Sequence, residues 1–218
     1  MNKKFELLLD DTITIFGVKL FRIKALISFG NVEEGEIGGY VEKETNLSLS
    51  GNAWVSGNAW VYGDAWVYGD ARVSGDARVS GNAWVSGNAR VYGDAWVSGN
   101  ARVSGNARVS GNARVYGDAR VSGNAWVSGN ARVYGDARVY GDAEVSGNAD
   151  YIVFKNHWSS GRYFTYTKSN KMWRVGCFYG TGQELIKKAY QDSEVSGKHY
   201  EAYVEFVDKL EKLEEAND

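Results

Sequence analysis

The 218-residue chain has no proline and a single cysteine, Cys177. One thiol forms no intrachain disulfide, so a disulfide-stapled secreted scaffold is excluded and a reducing cytoplasm, that of a bacterial host cell, is the expected compartment. The absence of proline removes the residue that deletes donors from a β-ladder, which fits a chain built largely of paired strands. Long apolar runs are missing too. The N-terminal stretch MNKKFELLLDDTITIFG holds only Leu7–Leu9 before two aspartates, and nowhere do eighteen apolar residues follow one another, so neither a signal peptide nor a membrane span is expected. Nor does one charge sign dominate: residues 1–50 carry six Lys/Arg against eight Asp/Glu, residues 51–146 nine against eight, and residues 147–218 ten against eleven. Such a balance gives little support to blanket electrostatic binding of nucleic acid, and none to a membrane partner.

What is present is a repeat. From Gly51 to Ser146 the pattern G-[ND]-A-x-V-[SY] recurs sixteen times without insertion or deletion. Ala at position three and Val at position five are invariant and spaced by two, which is strand spacing, so both point inward and the residue between them points out. Gly with Asn or Asp supplies the backbone freedom of a tight corner. Arms of about three residues are too short to bury anything as a hairpin sheet. They must coil, each arm pairing in parallel with its equivalent one coil away at about 4.8 Å, around an interior of stacked Val and Ala.

The V-[SY]-G-[ND]-A-x phase resembles the hexapeptide repeat of left-handed parallel β-helix proteins, a class that includes many trimeric acyltransferases. The resemblance covers residues 45–150 and implies an all-β solenoid, a left-handed parallel β-helix with triangular coils of three hexapeptides. The stretch FGNVEEGEIGGYVEKETNLS (29–48) resembles the N-terminal segment of uncharacterised hexapeptide-repeat proteins of bacteria and their prophages, some labelled putative acyltransferase. WSSGRYFTYT and VGCFYGTGQELI in the tail resemble phage-associated modules. That family implies context and no chemistry.

Three regions are expected: a β-rich cap over 1–44, the solenoid over 45–150 and an α+β module over 151–218. In the cap, strands are predicted near Phe5–Leu9, Thr12–Phe16 and Val18–Leu26 with a turn at Gly17. The repeat decays in order at both ends: TNLSLS (45–50) keeps Leu47 and Leu49 in the inward places, and GNADYI puts Tyr151 where valine belongs. After residue 150, YIVFK, RYFTYTK and MWRVGCF alternate like strands. Thr181 with Glu184 forms a capping box opening a helix to about Gln191, and a second helix is predicted from near Gly197 to Glu215. Its Tyr200, Tyr203, Val204, Val207 and Leu210 share one face, which covers the C-terminal sheet or makes a dimer contact.

Chemistry-bearing residues are scarce. Residues 51–146 contain no histidine, cysteine or lysine and no escaping loop, whereas the resembling acyltransferases place a histidine base on the wall and build a pocket from such loops. His157 and His199 both lie in the tail. No enzyme activity and no cofactor is expected. Nor is a metal site, because Asn and Asp mix along each corner in a pattern suited to a hydrogen-bonded ladder rather than to carboxylate chelation of Ca²⁺. The outward places carry Trp54, Trp60, Trp66, Trp84, Trp96 and Trp126, or Arg, except at Glu144. Indole, guanidinium and Tyr62, Tyr68, Tyr92, Tyr116, Tyr134 and Tyr140 form either a stacking surface for bases, sugars or a protein, or a structural coat. CFYGTGQEL (177–185) is a strand running through glycines into a helix start, a geometry able to cradle an anion. The second candidate site is therefore Arg162, Thr165, Cys177, Tyr179, Gly180, Thr181 and Gly182. The expectation is a non-enzymatic scaffold of phage or prophage origin that displays its ends to a protein partner, with a homo-oligomer possible. A binding inhibitor of a host enzyme or defence system is the alternative.

Overall fold

The computed structural model describes residues 3–158 and 161–216, and the chain divides into two compact units, Met1–Tyr151 and Ile152–Asp218. In the first unit, strands β1 (Phe5–Ile15), β2 (Val18–Ala25) and β3 (Ile37–Val41) precede sixteen two-residue strands, β4 (Trp54–Val55) to β19 (Glu144–Val145), one per hexad. Each pairs in parallel with the strand three hexads on, as Arg90 with Arg108 and Val91 with Val109, so three hexads make one coil. The result is a parallel β-solenoid with three walls. The first wall stacks β4, β7, β10, β13, β16 and β19; the third stacks β6, β9, β12, β15 and β18. The second continues the N-terminal sheet without a break, in the order β1-β2-β3-β5-β8-β11-β14-β17.

The periodicity translates directly into burial. Every hexad valine and alanine is at most 1% exposed, and together they fill the lumen. At the corners, side-chain amides link coils along the axis: Asn88 Nδ2 donates to Asn106 Oδ1 at 3.0 Å, Asn106 to Asn124 at 3.0 Å, and Asn124 to the Asp142 carboxylate at 2.9 Å. Asn82 donates to Asn100, and Asn100 to Asp118, in the same way. An aspartate accepts but cannot donate, so it ends a run, and the mixture of the two residues is what lets the ladder be satisfied.

The first coil has a problem the others lack. Within the column, a corner glycine carbonyl accepts the N–H of the residue one coil earlier, as Gly75 does from Asn58 and Gly99 from Asn82. Gly51, Gly57 and Gly63 have no earlier hexad. Three side chains from the N-terminal region supply the donors, one to each corner. Lys4 Nζ reaches the carbonyls of Ser48, Gly51 and Ala53 at 3.2, 3.1 and 2.7 Å. Arg22 Nη1 reaches Gly38 and Gly57 at 3.2 and 3.1 Å. Asn46 Nδ2 reaches Gly63 and Ala65 at 3.0 and 2.8 Å. A buried carbonyl left without a donor, as those of Ala53 and Ala65 would be, costs about 1–3 kcal/mol, and the three residues together finish the sheet end.

Lys4 carries a measurable consequence. Its side chain is 2% exposed. Burial, and then the Arg72 charge, push its ammonium down to about 8, against a smaller upward pull from Asp70. Below pH 8 both folded and unfolded chains hold the proton, and the folded state bears the cost of a buried charge. As pH rises towards the unfolded value of 10.5 the unfolded chain binds more protons, so stability rises. Tyr151, pushed up to about 12 by burial, opposes this above pH 10, where the unfolded phenol ionises first. Between pH 8 and 10, wild type should therefore gain on the order of 1 kcal/mol relative to Lys4→Met in urea unfolding. A stability difference that stays flat over that range would contradict the burial of the ammonium.

Four expectations are corrected in detail. Strand β1 is one strand with a pairing irregularity between Leu8 and Thr12, not two. Leu47 is buried and bridges to Val67, but Leu49 is 51% exposed, because the chain leaves the coil path where Lys4 takes the Ser48 and Gly51 carbonyls. Trp54 is not outward-facing in any useful sense: it is 1% exposed, with the edges of Phe5 and Phe29 against its ring. The last helix begins at Glu194, earlier than Gly197, because the Ser193 hydroxyl caps it by accepting the Ser196 N–H at 3.0 Å. At the far end of the column a short 3-10 turn over Asn148–Asp150 brings Asn148 Oδ1 to the Arg132 N–H at 2.9 Å, and the Tyr151 hydroxyl donates to the Arg132 carbonyl at 2.6 Å.

In the second unit, β20 (Tyr151–Lys155), β21 (Tyr163–Thr167), β22 (Met172–Val175) and β23 (Phe178–Gly180) form a sheet in that order, followed by α1 (Gly182–Asp192) and α2 (Glu194–Glu215). Phe164, Tyr166, Trp173 and Val175 from the sheet, Leu185 from α1 and Val204 and Val207 from α2 make the core, with Tyr200 and Tyr203 packed on it. The apolar face of α2 thus covers its own sheet. Among the described residues, no helix is long and apolar enough to cross a membrane.

Candidate functional site

The outward column of each wall is set by the sequence and by register. Reading along the axis, the first wall presents Trp54, Arg72, Arg90, Arg108, Trp126 and Glu144; the second Trp60, Arg78, Trp96, Arg114 and Arg132; the third Trp66, Trp84, Arg102, Arg120 and Arg138. Trp66, Trp84 and Trp126 are exposed, Trp60 and Trp96 half-buried.

Flat side chains about 4.8 Å apart have neighbours of the same shape, and they use them. The Arg78 guanidinium lies 4.5 Å from the Trp60 ring centre, Arg102 4.5 Å from Trp84, and Arg114 5.8 Å from Trp96. In each pair the arginine of one coil covers the indole of the coil before, which shields the apolar ring and keeps the wall charged. Trp66 stacks on Tyr68 at 4.2 Å and meets Trp84 edge-on. Two indoles lean back over a serine of the preceding coil: Trp96 Nε1 donates to Ser80 Oγ at 3.2 Å and Trp126 Nε1 to Ser110 Oγ at 2.9 Å. Ser80 and Ser110 are the buried serines of the repeat, each covered by the indole sixteen residues later. Much of the aromatic wall is thus coat, held by contacts within the column.

The residues proposed in the tail lie on or beside β21–β23 and the start of α1. Thr165 is 1% exposed on β21, with Arg174 as its cross-strand partner and Tyr179 beyond that. The Cys177 thiol is exposed, and its carbonyl accepts from Arg174 Nη1 at 3.1 Å. The Tyr179 hydroxyl accepts from Asn170 Nδ2 at 3.3 Å. Arg162 is exposed, its stem lying over Gly176. Gly180 and Gly182 answer to packing: a Cβ at Gly180 would stand 2.7 Å from Glu184 Oε2, and one at Gly182 would stand 2.7 Å from Val204 Cγ1.

The start of α1 is occupied by its own capping box. The Thr181 N–H and hydroxyl both donate to Glu184 Oε2, at 2.8 and 3.0 Å, while the Glu184 N–H donates to Thr181 Oγ1 at 3.3 Å. The Thr181 N–H, foremost among these bonds, holds the Glu184 carboxyl below its usual range. A carboxylate of the chain already stands where an anion would be cradled. Of the two histidines, His199 stacks face-on against Trp158 at 3.8 Å, with Nδ1 2.8 Å from the Val195 carbonyl, and His157 is exposed. Among the described residues no three His, Cys, Asp or Glu side chains come together as metal ligands would.

Sequence reasoning missed Lys4, Arg22 and Asn46. Each is a single polar residue in irregular sequence, and only the long-range contact reveals its task.

Comparison with protein families places the repeat. The model of the YdcK Beta solenoid repeat matches residues 53–69, 71–87, 83–99, 95–111, 101–115, 113–129, 125–141 and 131–147. A search of curated proteins finds no match. The match and the coil geometry agree on a repeat β-helix protein with a β-solenoid scaffold.

Proposed function

We propose that this chain is a non-enzymatic interaction scaffold, a rigid column that presents its walls in fixed register to a protein partner. The observation that carries this reading is the unbroken ladder: sixteen hexads follow one another and no loop leaves the coils to enclose a substrate. Short strands paired through every coil make a stiff object, and a stiff object presents side chains at fixed spacing. Phage or prophage origin belongs to this proposal too, supported by the resemblance of residues 29–48 and of the tail to phage-associated segments. So does action inside a bacterial cell, in keeping with the single exposed thiol.

The rival is acyl transfer, which the resembling enzymes perform with a wall histidine and an enclosed pocket. Here the wall offers arginine, tryptophan and one glutamate. Titration calorimetry with acetyl-CoA should give no saturable heat at micromolar concentrations, and no thiol should be released in the presence of amine or alcohol acceptors. Saturable binding with turnover would replace the scaffold reading with an enzymatic one.

A further inference from the structure

The first wall differs from the other two. On the second and third walls each run of arginines begins on an indole one coil earlier, Arg78 on Trp60, Arg114 on Trp96 and Arg102 on Trp84, while Arg120, Arg132 and Arg138 follow an arginine. On the first wall that place belongs to Trp54, which the N-terminal sheet has buried, so its in-register neighbour Arg72 makes no ring contact. Arg90 and Arg108 follow Arg72 strand by strand. Among the described residues none of these three guanidinium groups has an ion pair, an aromatic contact or a side-chain hydrogen bond. Arg90 and Arg108 are exposed.

Like charges directly opposite on neighbouring strands destabilise a sheet. The repeat could have avoided this, since tryptophan fits the same position elsewhere. The Lys4 ammonium adds a fourth positive charge near Arg72. Carboxylates do flank the column, but Asp70 accepts the Asn52 N–H and Asp76 accepts from Asn58 Nδ2, and neither reaches an arginine. Asp94 stands at the following corner of the next coil. The groove along the arginines is otherwise lined by hydroxyls and an amide, from Asn31, Ser56, Ser74 and Tyr92.

Spacing selects the occupant. The arginines repeat every ~4.8 Å along the axis, so the second and third lie ~4.8 and ~9.6 Å from the first. Carboxylates at i, i+3 and i+7 of an α-helix lie at ~4.5 and ~10.5 Å along its axis. Same-face residues of an extended strand fall at ~6.7 and ~13.4 Å, out of step by the second position. A single-stranded nucleic acid gains its affinity from bases stacked on aromatic platforms, and Tyr92 is the one ring lining this groove. We infer that the first wall is a docking face for an acidic α-helix of a protein partner, whose carboxylates at i, i+3 and i+7 pair with Arg72, Arg90 and Arg108. The inference rests on the scaffold reading and names the partner's chemistry.

The test is fluorescence anisotropy on the full chain with three probes: an alanine-rich helical peptide carrying Glu at i, i+3 and i+7, a peptide of equal charge with those glutamates scattered around the helix, and an oligothymidylate. The striped helix should bind at least ~10-fold more tightly than the scattered one, with an affinity that falls as salt is raised. Arg90→Glu should weaken it more than ~10-fold, while Arg102→Glu, the same charge change on the third wall, should leave it within ~2-fold. Absence of striped-helix binding, equal binding of the two peptides, or equal losses in the two variants would overturn the inference. Tighter binding of oligothymidylate, lost in Arg90→Glu, would overturn it in favour of a nucleic-acid face. None of these results touches the scaffold reading, which fails separately on acyl-CoA turnover.

Discussion

Gly99→Ala should destabilise the protein by about 3 kcal/mol or more, and Gly135→Ala by only about 1 kcal/mol. Both glycines sit at corners with the same left-handed backbone, φ +67 at Gly99 and +62 at Gly135, so the conformational strain of adding a Cβ is shared. What differs is the neighbour. At Gly99 the new carbon would stand 2.9 Å from the Gly117 nitrogen and 3.2 Å from its oxygen, both backbone atoms of the next coil. Gly117 cannot retreat cheaply, because its carbonyl accepts the Asn100 N–H at 2.8 Å and that bond is part of the ladder joining the two coils. At Gly135, in the last coil, nothing lies within 4 Å of the added atom. The difference between the two variants therefore isolates the close approach of stacked corners from the intrinsic cost of the turn. Urea unfolding of the pair measures it. Equal losses would mean that the coils do not stack at this distance, and the column would have to be rebuilt.

The same contrast between periodic and irregular sequence explains how much could be read in advance. Val97 and Ala95 declare their burial through spacing alone, and the sixteenfold repetition fixes both coil length and wall columns. The Asn/Asp corner ladder was legible for the same reason, as was the Thr181–Glu184 capping box, which is a local motif with its partners three residues apart. Trp54 obeys the repeat and yet is buried, because Phe5 and Phe29 cover it from segments far away in the chain that carry no periodic mark. Leu49 fails in the opposite direction, continuing the alternation after the backbone has left the coil. Of the candidate site residues, Thr165 proved buried and Gly180 and Gly182 proved to make room for neighbouring side chains. The three-arginine face depends on the burial of Trp54, so it was invisible as long as all three walls were read as equivalent.

Removing residues 87–104 should give a protein that folds cooperatively with a column shorter by about 4.8 Å, whereas removing 87–92 should preserve the core and lose more stability. The longer deletion takes out one whole coil and joins Ser86 to Gly105. Every later residue keeps its wall: Arg108 comes to stack on Arg72, Arg120 on Trp84, and Asn82 can donate to Asp118 as it did to Asn100. The Ser80–Trp96 bond is lost, at about 1 kcal/mol. The shorter deletion moves every later hexad round by one wall. Valine and alanine still face inward, since all hexads supply them alike. The corners no longer match, however, because Asp94 is brought directly beyond Asp70, two carboxylates with no amide between them. The arginine column also breaks, since Trp96 follows Arg72 on the first wall in place of Arg90. Thermal melts compare the two variants, and striped-helix binding tests the longer one, which keeps Arg72 and Arg108 in line at the right spacing and should retain weakened binding. Failure of the longer variant to fold would show that coil period and register are not set by three hexads, which is the premise of both the column and its docking face.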